Sequence, residues 1–187
     1  MDWNALEEAV QNCRNCPLCA TRTNVVFGTG DKNADLLFIG EAPGEQEDLT
    51  GTPFVGRAGQ LLDKFLFAVG IPREKVYIAN TLKCRPPHNR DPLPEEKEKC
   101  MPYLREQVRL ISPRVIVCLG RVSATRLIGP DFHITKDHGK WFKKGNFWMT
   151  AVYHPAFLLR DPRKKEDMLT DMKEIRRKLD ELTNQGE

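Results

Sequence analysis

The cysteines are the residues of this sequence whose spacing most clearly suggests chemistry. Cys13 and Cys16 form a C-x2-C pair, and Cys84 and Cys100 are separated by 15 residues. Four thiolates from two regions of a chain can bind a tetrahedral zinc ion or an iron–sulfur cluster. Zinc modules usually use two tight pairs, so the wide second pair favours a cluster over zinc. We predict that these four cysteines bind the metal centre.

The other two cysteines have different expected roles. Cys19 extends the first pair to C-x2-C-x2-C, so a three-plus-one ligand set stays open. Cys118 lies inside the apolar run VIVCLG and is predicted to be a small buried residue. The centre would be structural, tying the N-terminus to the sheet and shaping the loop CRPPHNRDP. Arg85 and Arg90 of that loop are candidates to face a phosphate backbone.

Four short apolar segments are predicted to be buried strands. They cover residues 34–42, 76–84, 115–120 and 147–155. Each is rich in aliphatic or β-branched residues and ends in a turn or a polar cluster. Helical segments lie between them, which is typical of a parallel sheet covered by helices on both faces. The sequence therefore predicts an α/β fold in one domain spanning residues 1–187.

Helices are predicted over residues 58–69, 94–111 and 122–128, and at the C-terminus over about 164–183. Apolar residues recur at helical spacing in the three longer segments. Pro102 interrupts the second segment, so we expect the helix to kink or restart there.

The segment GEAPGEQED, residues 40–48, follows the first strand directly. It holds two glycines, a proline and four carboxylates. Ligands of open parallel sheets bind at the carboxyl ends of the strands, so this acidic segment lies where a site is expected. The other strand ends carry Asn80, Cys84, Gly120 and His154.

Composition narrows the class of protein. The chain has 187 residues, of which 40% are hydrophobic and 29% charged, as in ordinary globular proteins. No apolar run approaches the roughly 20 residues that a spanning helix needs, and no basic and apolar signal segment opens the chain. We expect a cytoplasmic protein with no membrane partner. In that reducing compartment, six cysteines favour metal binding over disulfides.

Charge allows a nucleic-acid partner without requiring one, because the net charge is only +3. Two basic clusters flank the last predicted strand, in KDHGKWFKKG and RDPRKK, and this placement favours one basic surface. The clusters comprise Lys136, Lys140, Lys143 and Lys144, then Arg160, Arg163, Lys164 and Lys165.

These stretches together resemble family 4 of the uracil-DNA glycosylases, the iron–sulfur type of bacteria and archaea. The matching motifs, in chain order, are GEAPGEQED, GTPFVGRAGQLLD, IANTLKCRPP and YHPAFLLR. The order and spacing of the four predicted cysteine ligands match as well. The resemblance runs from residue 13 to about residue 160, which is most of the chain.

The resemblance implies a three-layer α/β/α fold with a central four-stranded parallel sheet. It implies a 4Fe-4S cluster on the four predicted cysteines, with zinc as the less favoured metal. The implied activity is hydrolysis of the N-glycosidic bond of deoxyuridine in DNA, which releases uracil and leaves an abasic site in base-excision repair. The enzyme would be monofunctional and would flip the base out of the helix. Its partner would be uracil-containing DNA, bound by a monomer.

The resemblance also implies a role for each residue of a uracil pocket. Phe54 would stack on the base. Asn80 would accept a hydrogen bond from uracil N3–H and donate one to O4, a pattern that cytosine reverses. His154 would donate to O2 and stabilise the anion that develops on the leaving uracil.

The acidic segment leaves the activation of water undecided. Other uracil glycosylases carry an aspartate where this chain has Ala42, and alanine cannot activate water. Either Glu41 positions the water or backbone carbonyls hold it. Backbone N–H groups of Gly40, Glu41 and Ala42 are further candidates to contact the base. Glu47 or Asp48 would exclude the 5-methyl group of thymine.

The segment after the last strand predicts a wedge that fills the gap left by a flipped base. Phe157, Leu158 and Leu159 are apolar and stand beside Arg160. Packing of the next helix is the alternative explanation for these residues.

Three other functions are alternatives to uracil release. A non-catalytic nucleic-acid-binding domain would keep the cysteines and basic clusters without needing Asn80 and His154 together. A related branch of the superfamily captures DNA covalently through a histidine in a basic loop, and His88 in CRPPHNRDP is the residue to test for that chemistry. An electron-transfer iron–sulfur protein would not explain the acidic segment.

Overall fold

Six strands form one sheet in the computed structural model, which describes residues 1–185. The strands are β1 (Thr29–Gly30), β2 (Leu36–Gly40), β3 (Val76–Asn80), β4 (Val115–Leu119), β5 (Phe142–Lys144) and β6 (Phe147–Val152). Their order across the sheet is β1-β3-β2-β4-β6-β5. The four predicted strand segments supply β2, β3, β4 and β6.

The sheet is mixed rather than all parallel. Neighbouring strands among β3, β2, β4 and β6 are parallel, whereas β1 is antiparallel to β3 and β5 is antiparallel to β6. The predicted four-stranded parallel sheet is therefore wrong as a description of the whole sheet. The two edge strands have only two and three residues, too few for an alternating pattern to mark them in the sequence.

Helices cover both faces of this sheet. The helices among residues 1–185 are α1 (Trp3–Gln11), α2 (Glu45–Thr50), α3 (Arg57–Ala68), α4 (Pro94–Ile111), α5 (Arg121–Leu127), α6 (Ile134–Asp137), α7 (Pro155–Arg160) and α8 (Lys165–Asn184). Apolar residues of α3, α7 and α8 pack on one face, and those of α4 and α5 pack on the other. Every residue of β2, β3 and β4 is consequently buried, which explains why these strands are continuous apolar runs.

Helix α4 continues through Pro102 from Pro94 to Ile111, so the expected restart is wrong. Proline removes one backbone donor, and the carbonyl that loses its partner belongs to Glu98, four residues earlier. Glu98 and Pro102 are both exposed, so water can bind that carbonyl and the helix persists.

The N-terminal helix α1 was not predicted. The Asp2 carboxylate caps it by accepting a hydrogen bond from Ala5 N at 2.9 Å. Leu6 and Val10 are buried in a small apolar cluster that also contains Cys84. This packing brings the N-terminal segment, with its cysteines, to the end of the sheet where β3 ends.

The C-terminal helix matches its prediction closely, since α8 begins at Lys165 and ends at Asn184. Met168, Met172 and Ile175 of α8 are buried against the sheet. No helix among residues 1–185 is both long and apolar enough to span a bilayer. The organisation of residues 1–187 as one domain stays a prediction, and residues 186–187 lie outside the described part.

Candidate active site

A cleft of about 630 Å³ opens at the carboxyl ends of the central strands. Glu41 and Ala42 follow β2, Gly120 follows β4 and His154 follows β6, and all four line the cleft. Parallel strands end at the same edge of a sheet, so residues distant in sequence meet there.

Glu47 and Asp48, the two acids predicted to exclude thymine, take different positions. Glu47 lines the cleft, and a Cβ at Gly44 would come within 3.2 Å of its Oε1. Asp48 is buried, and its Oδ1 accepts hydrogen bonds from Thr23 N at 2.9 Å and Asn24 N at 3.2 Å. Asp48 therefore anchors a neighbouring loop, and only Glu47 faces the cleft.

Gly40, Phe54 and Asn80 meet beside the cleft and do not line its wall. A Cβ at Gly40 would overlap Asn80 Oδ1 and the Phe54 ring, so the contact requires glycine at position 40. Asn80 is 2% exposed, and its Oδ1 has no hydrogen-bond partner within residues 1–185. Buried polar atoms are nearly always paired, so this oxygen is an unsatisfied acceptor. Other buried polar atoms without a partner in the described part of the chain belong to Trp141, Thr150 and Tyr153.

Phe54 has a strained backbone. Its φ is 54°, a left-handed conformation that bulky residues rarely adopt. The backbone of Phe54 rests on Gly59, where a Cβ would overlap the Phe54 carbonyl group. The glycine spacing in GTPFVGRAG therefore reflects the packing that fixes the Phe54 ring beside Asn80.

His154 is held in one tautomer and one charge state. Its Nδ1 accepts a hydrogen bond from Ala156 N at 3.0 Å, so the neutral ring carries its proton on Nε2. Burial, with a smaller effect of the Arg160 charge, lowers the pKa of His154 to about 4. Gly120 has a φ of 91°, and a Cβ there would lie 2.9 Å from the His154 Cβ. The His154 and Phe54 ring centroids are 5.6 Å apart.

Glu41 is a half-buried carboxyl in the cleft. Burial raises its pKa above the ordinary range, and the neighbouring Asp91 raises it further, while Arg121 and Lys97 oppose the shift. The backbone carbonyl of Glu41 accepts a hydrogen bond from Thr81 Oγ1 at 2.6 Å. This bond joins the acidic segment to the residue that follows Asn80.

A separate small cavity gathers five of the six cysteines. The four predicted ligands line it, and so does Cys19, whereas Cys118 is buried inside β4. No three cysteine, histidine or acidic side chains within residues 1–185 converge closely enough to hold one metal ion. A cluster contains several iron atoms, so its thiolate ligands need not converge on a single point.

The surroundings of this cavity also suit a thiolate-bound centre. Arg22 Nη1 donates to the Cys84 sulfur at 3.3 Å, and Lys83 N donates to the Cys100 sulfur at 3.3 Å. Hydrogen bonds and positive charge at the sulfurs stabilise thiolate ligands of an iron–sulfur cluster. The donor set therefore fits the predicted group, and Cys19 stays a possible alternative ligand.

Comparison with known proteins gives the family. Residues 27–179 match the profile of the uracil DNA glycosylase superfamily, which is most of the chain. The chain belongs to the uracil DNA glycosylase superfamily. The resemblance predicted from its motifs is thereby confirmed.

Relatives within the superfamily are similar over most of their length. The chain is 48% identical over 176 residues to the Type-4 uracil-DNA glycosylase of Archaeoglobus fulgidus, covering 89% of this chain and 87% of the relative. Identity to the Type-4 enzyme of Thermotoga maritima is 46% over 160 residues, covering 83% and 82%. A Type-5 uracil-DNA glycosylase of Pyrobaculum aerophilum is 32% identical over 179 residues, covering 78% of each chain.

Several residues that line the cleft of this superfamily member were not predicted. Asn89, Arg121 and Tyr153 line it together with Arg90, which was expected only to face phosphate. The buried Glu96 carboxylate holds Arg90 through two hydrogen bonds of 2.6 and 2.9 Å. Tyr153 and Arg121 stand next to His154 and Gly120 in the sequence. This position beside predicted strand ends is the signal that could have identified them as cleft residues.

His88 does not belong to the cleft. It is exposed, has a φ of 55°, and lies in a short 3₁₀ turn at Pro87–Asn89. His88, the candidate residue for covalent capture of DNA, is therefore not among the residues that line the candidate site.

Only part of the predicted wedge, residues 157–160, is accessible for contact with DNA. Leu158 is fully buried in the core, and the Phe157 ring stacks on Tyr153 with centroids 5.3 Å apart. Leu159, at 36% exposed, and Arg160 reach the surface, and the half-buried Phe157 lines the cleft together with Arg160. Helix α7 has an inward face, and that face takes Leu158 out of any contact with DNA.

The two basic clusters are partly neutralised. Lys140 pairs with Asp137 at 2.7 Å and Arg163 pairs with Asp161 at 2.8 Å. Lys144 Nζ donates to the carbonyl of Ile128 at 2.8 Å, at the end of α5. Several cations of the predicted basic surface are therefore bound by nearby groups of the protein itself.

Proposed function

We propose that this chain is a monofunctional uracil-DNA glycosylase of base-excision repair. It hydrolyses the N-glycosidic bond of deoxyuridine in DNA, releasing uracil and leaving an abasic site. The observation that carries the proposal is the combination of an unpaired Asn80 Oδ1 at the end of β3 with a neutral His154 after β6, at the same edge of the sheet, in a member of this superfamily.

The base-binding roles follow from this arrangement. Asn80 Oδ1 accepts uracil N3–H, and Phe54 stacks on the flipped base. Cytosine has no proton at N3 and would leave Oδ1 unpaired, which is the basis for its rejection. Because Oδ1 is buried, we expect the Phe54 and His154 rings to shift when the base enters.

His154 stabilises the leaving group. Its Nε2–H donates to uracil O2 as negative charge develops there. The hydrogen bond from Ala156 to Nδ1 fixes the ring, so little reorganisation is needed during bond breaking. Backbone N–H groups of Gly40, Glu41 and Ala42 add contacts to the base.

Two means of holding the water stay open. Glu41 lies in the cleft and orients a water molecule in one of them. Backbone carbonyls of the acidic segment hold it in the other. Both Glu41 and Glu47 line the cleft. The half-buried carboxyl of Glu41 also favours a cationic sugar, and Glu47 excludes the thymine methyl group.

The metal centre is a 4Fe-4S cluster held by Cys13, Cys16, Cys84 and Cys100. It acts as a structural cross-link between the N-terminal segment, the end of β3 and α4. No step of the hydrolysis passes through it. Cytoplasmic location and the monomeric state stay predictions.

The test is base release from a labelled duplex with one uracil, beside matched thymine and cytosine duplexes. Protein purified without oxygen should release uracil alone and leave a site that alkali cleaves. If folded protein bound the uracil duplex without releasing base, the proposal would be wrong and a non-catalytic binding function would replace it. A covalent adduct abolished by His88→Ala would instead favour DNA capture.

A further inference from the structure

Lys83 is a lysine buried almost completely in the interior, at 1% exposed. Its Nζ donates to the backbone carbonyl of Asn80 at 3.0 Å and to Gln107 Oε1 at 2.5 Å. Gln107 is also buried, and its Nε2 donates to the carbonyl of Phe27 at 2.9 Å. A continuous chain of hydrogen bonds therefore runs from Phe27 to the main chain of Asn80.

Lys83 also belongs to the short connection between the two candidate centres. Asn80 ends β3, and Cys84 follows Lys83 directly. The backbone N–H of Lys83 donates to the Cys100 sulfur, and its carbonyl accepts a bond from Val26 N at 2.8 Å. Main-chain and side-chain atoms of one residue thus contact both a cysteine of the cavity and the backbone carbonyl of Asn80.

Stability alone does not explain this lysine. Burying an ammonium group is unfavourable, and its usual compensation is a carboxylate. Within residues 1–185, the hydrogen-bond partners of the Lys83 ammonium are one amide and one carbonyl, and no carboxylate pairs with it. Thiolates at Cys84 and Cys100 would offset part of the desolvation penalty. That charge interaction does not require a bond to the Asn80 carbonyl, so this bond is the feature that needs a reason.

We propose that Lys83 is a positioning residue, which fixes the Asn80 main chain so that the amide side chain stays aimed at the uracil. Because Lys83 N also bonds to Cys100, the same residue sets the geometry of Asn80 relative to the metal centre. This inference rests on the proposed function. It assigns no contact between Lys83 and the substrate.

The test is a double-mutant cycle on uracil release at saturating enzyme. Lys83→Met keeps the apolar stem and removes the donor. It should slow uracil release on the order of 10- to 100-fold, because a misplaced amide loses its transition-state contact. In the Asn80→Ala background the same change should have an effect of less than about twofold, since Lys83 acts only through the Asn80 side chain. Lys64→Met, on the exposed side of α3, is the matched control.

Iron content and melting temperature are measured together with the rates, so that loss of the cluster or of the fold is distinguished from slower uracil release. Equal slowing in both backgrounds, or no slowing at all, would overturn the inference while leaving the wild-type activity intact. Failure of the wild type to release uracil would instead overturn the proposed function. If Lys83→Met does not fold, Gln107→Met, which removes the second acceptor of the ammonium group, replaces it and is judged by the same coupling with Asn80→Ala.

Discussion

At the scale of single residues, Asn80 carries a conflict between stability and function. Its Oδ1 is buried without a partner in the free protein. An unpaired buried polar atom destabilises a fold by about 1–3 kcal/mol, and an apolar residue of similar shape removes that penalty. The empty pocket is therefore less stable than it would be with an apolar residue in place of Asn80.

Replacing Asn80 with leucine should change stability and activity in opposite directions. We expect Asn80→Leu to raise the free energy of unfolding by about 1 kcal/mol and to slow uracil release roughly 10- to 100-fold. Thermal unfolding and single-turnover base release measure the two effects. A variant that lost both stability and activity would show that Asn80 is a structural residue.

His154 predicts a pH dependence of stability. Its pKa falls from an ordinary value of 6.5 to about 4 in the folded protein, mainly because of burial. The unfolded chain therefore binds a proton that the folded protein excludes. The stability that the neutral ring contributes is complete above about pH 6.5 and is lost as the pH falls toward 4.

Between pH 7.5 and pH 5, this linkage should remove about 2 kcal/mol from the wild type and nothing from His154→Asn. Denaturant unfolding at the two pH values gives the comparison. His133→Asn, at an exposed position, should follow the wild type. The same acid sensitivity in His154→Asn would mean that other groups cause it.

Residue positions at the edge of the sheet were predictable where the chain itself sets them. Asn80 ends β3 and His154 follows β6, so their placement at this edge follows from the strand pattern, whereas their roles stay predictions. Leu158 and Asp48 were misjudged because their environment depends on partners distant in sequence. Asp48 anchors the loop at Thr23, and Leu158 packs into the core beneath α7.

At the scale of elements, the cysteine cavity joins three parts of the chain. The segment after α1 brings Cys13 and Cys16, the turn after β3 brings Cys84, and α4 brings Cys100. Without a metal centre, the apolar cluster of α1 would be the main link between the N-terminal segment and the sheet.

Cysteine substitutions should separate ligands from buried residues. Cys84→Ala should lose the visible absorbance and most of the iron, and its melting temperature should fall. Cys118→Ala should keep the iron, because Cys118 lies in β4 away from the cavity. Iron content, absorbance and melting temperature provide the measurements.

The same series decides between the two ligand sets. We expect Cys19→Ala to keep the full iron content, as Cys13, Cys16, Cys84 and Cys100 complete the set. Loss of iron from Cys19→Ala, with retention in either Cys84→Ala or Cys100→Ala, would establish the three-plus-one alternative.

Elements with a strong sequence pattern were predictable, and the shortest strands were not. The bounds of α4 match the prediction at both ends, and α8 is displaced by one residue at each end. Strands β1 and β5 were not predicted, because two or three residues are too few to show an alternating pattern of apolar and polar side chains. These strands form by pairing with strands of a sheet that is already present. A short stretch of sequence does not reveal that partner.

At the scale of the whole molecule, Arg160 is the cleft cation best placed to meet a phosphate. Arg90 is held by Glu96, and Arg121 lies 3.7 Å from Asp91. Among residues 1–185, Arg160 has no recorded ion pair, although it lines the cleft. DNA binding should therefore depend on Arg160 more than on the neighbouring Arg163, which Asp161 holds.

Arg160→Ala should weaken binding to a duplex carrying a stable abasic-site analogue. The slope of log affinity against log salt should decrease in magnitude by about 1, the value for one lost phosphate contact. Arg163→Ala should change the slope less. Titrations at several salt concentrations test this, and an unchanged slope in Arg160→Ala would place the phosphate contact elsewhere.

The two short edges of the sheet have a consequence for the protein at high concentration. An exposed edge strand can template the addition of another chain, which leads to aggregation. Here one edge is only two residues long, and the other carries Lys143 and Lys144, both exposed. A second copy would find too few backbone groups at the first edge and like charges at the second. We therefore expect the brevity of β1 and the lysines of β5 to disfavour edge-to-edge pairing between copies of the chain.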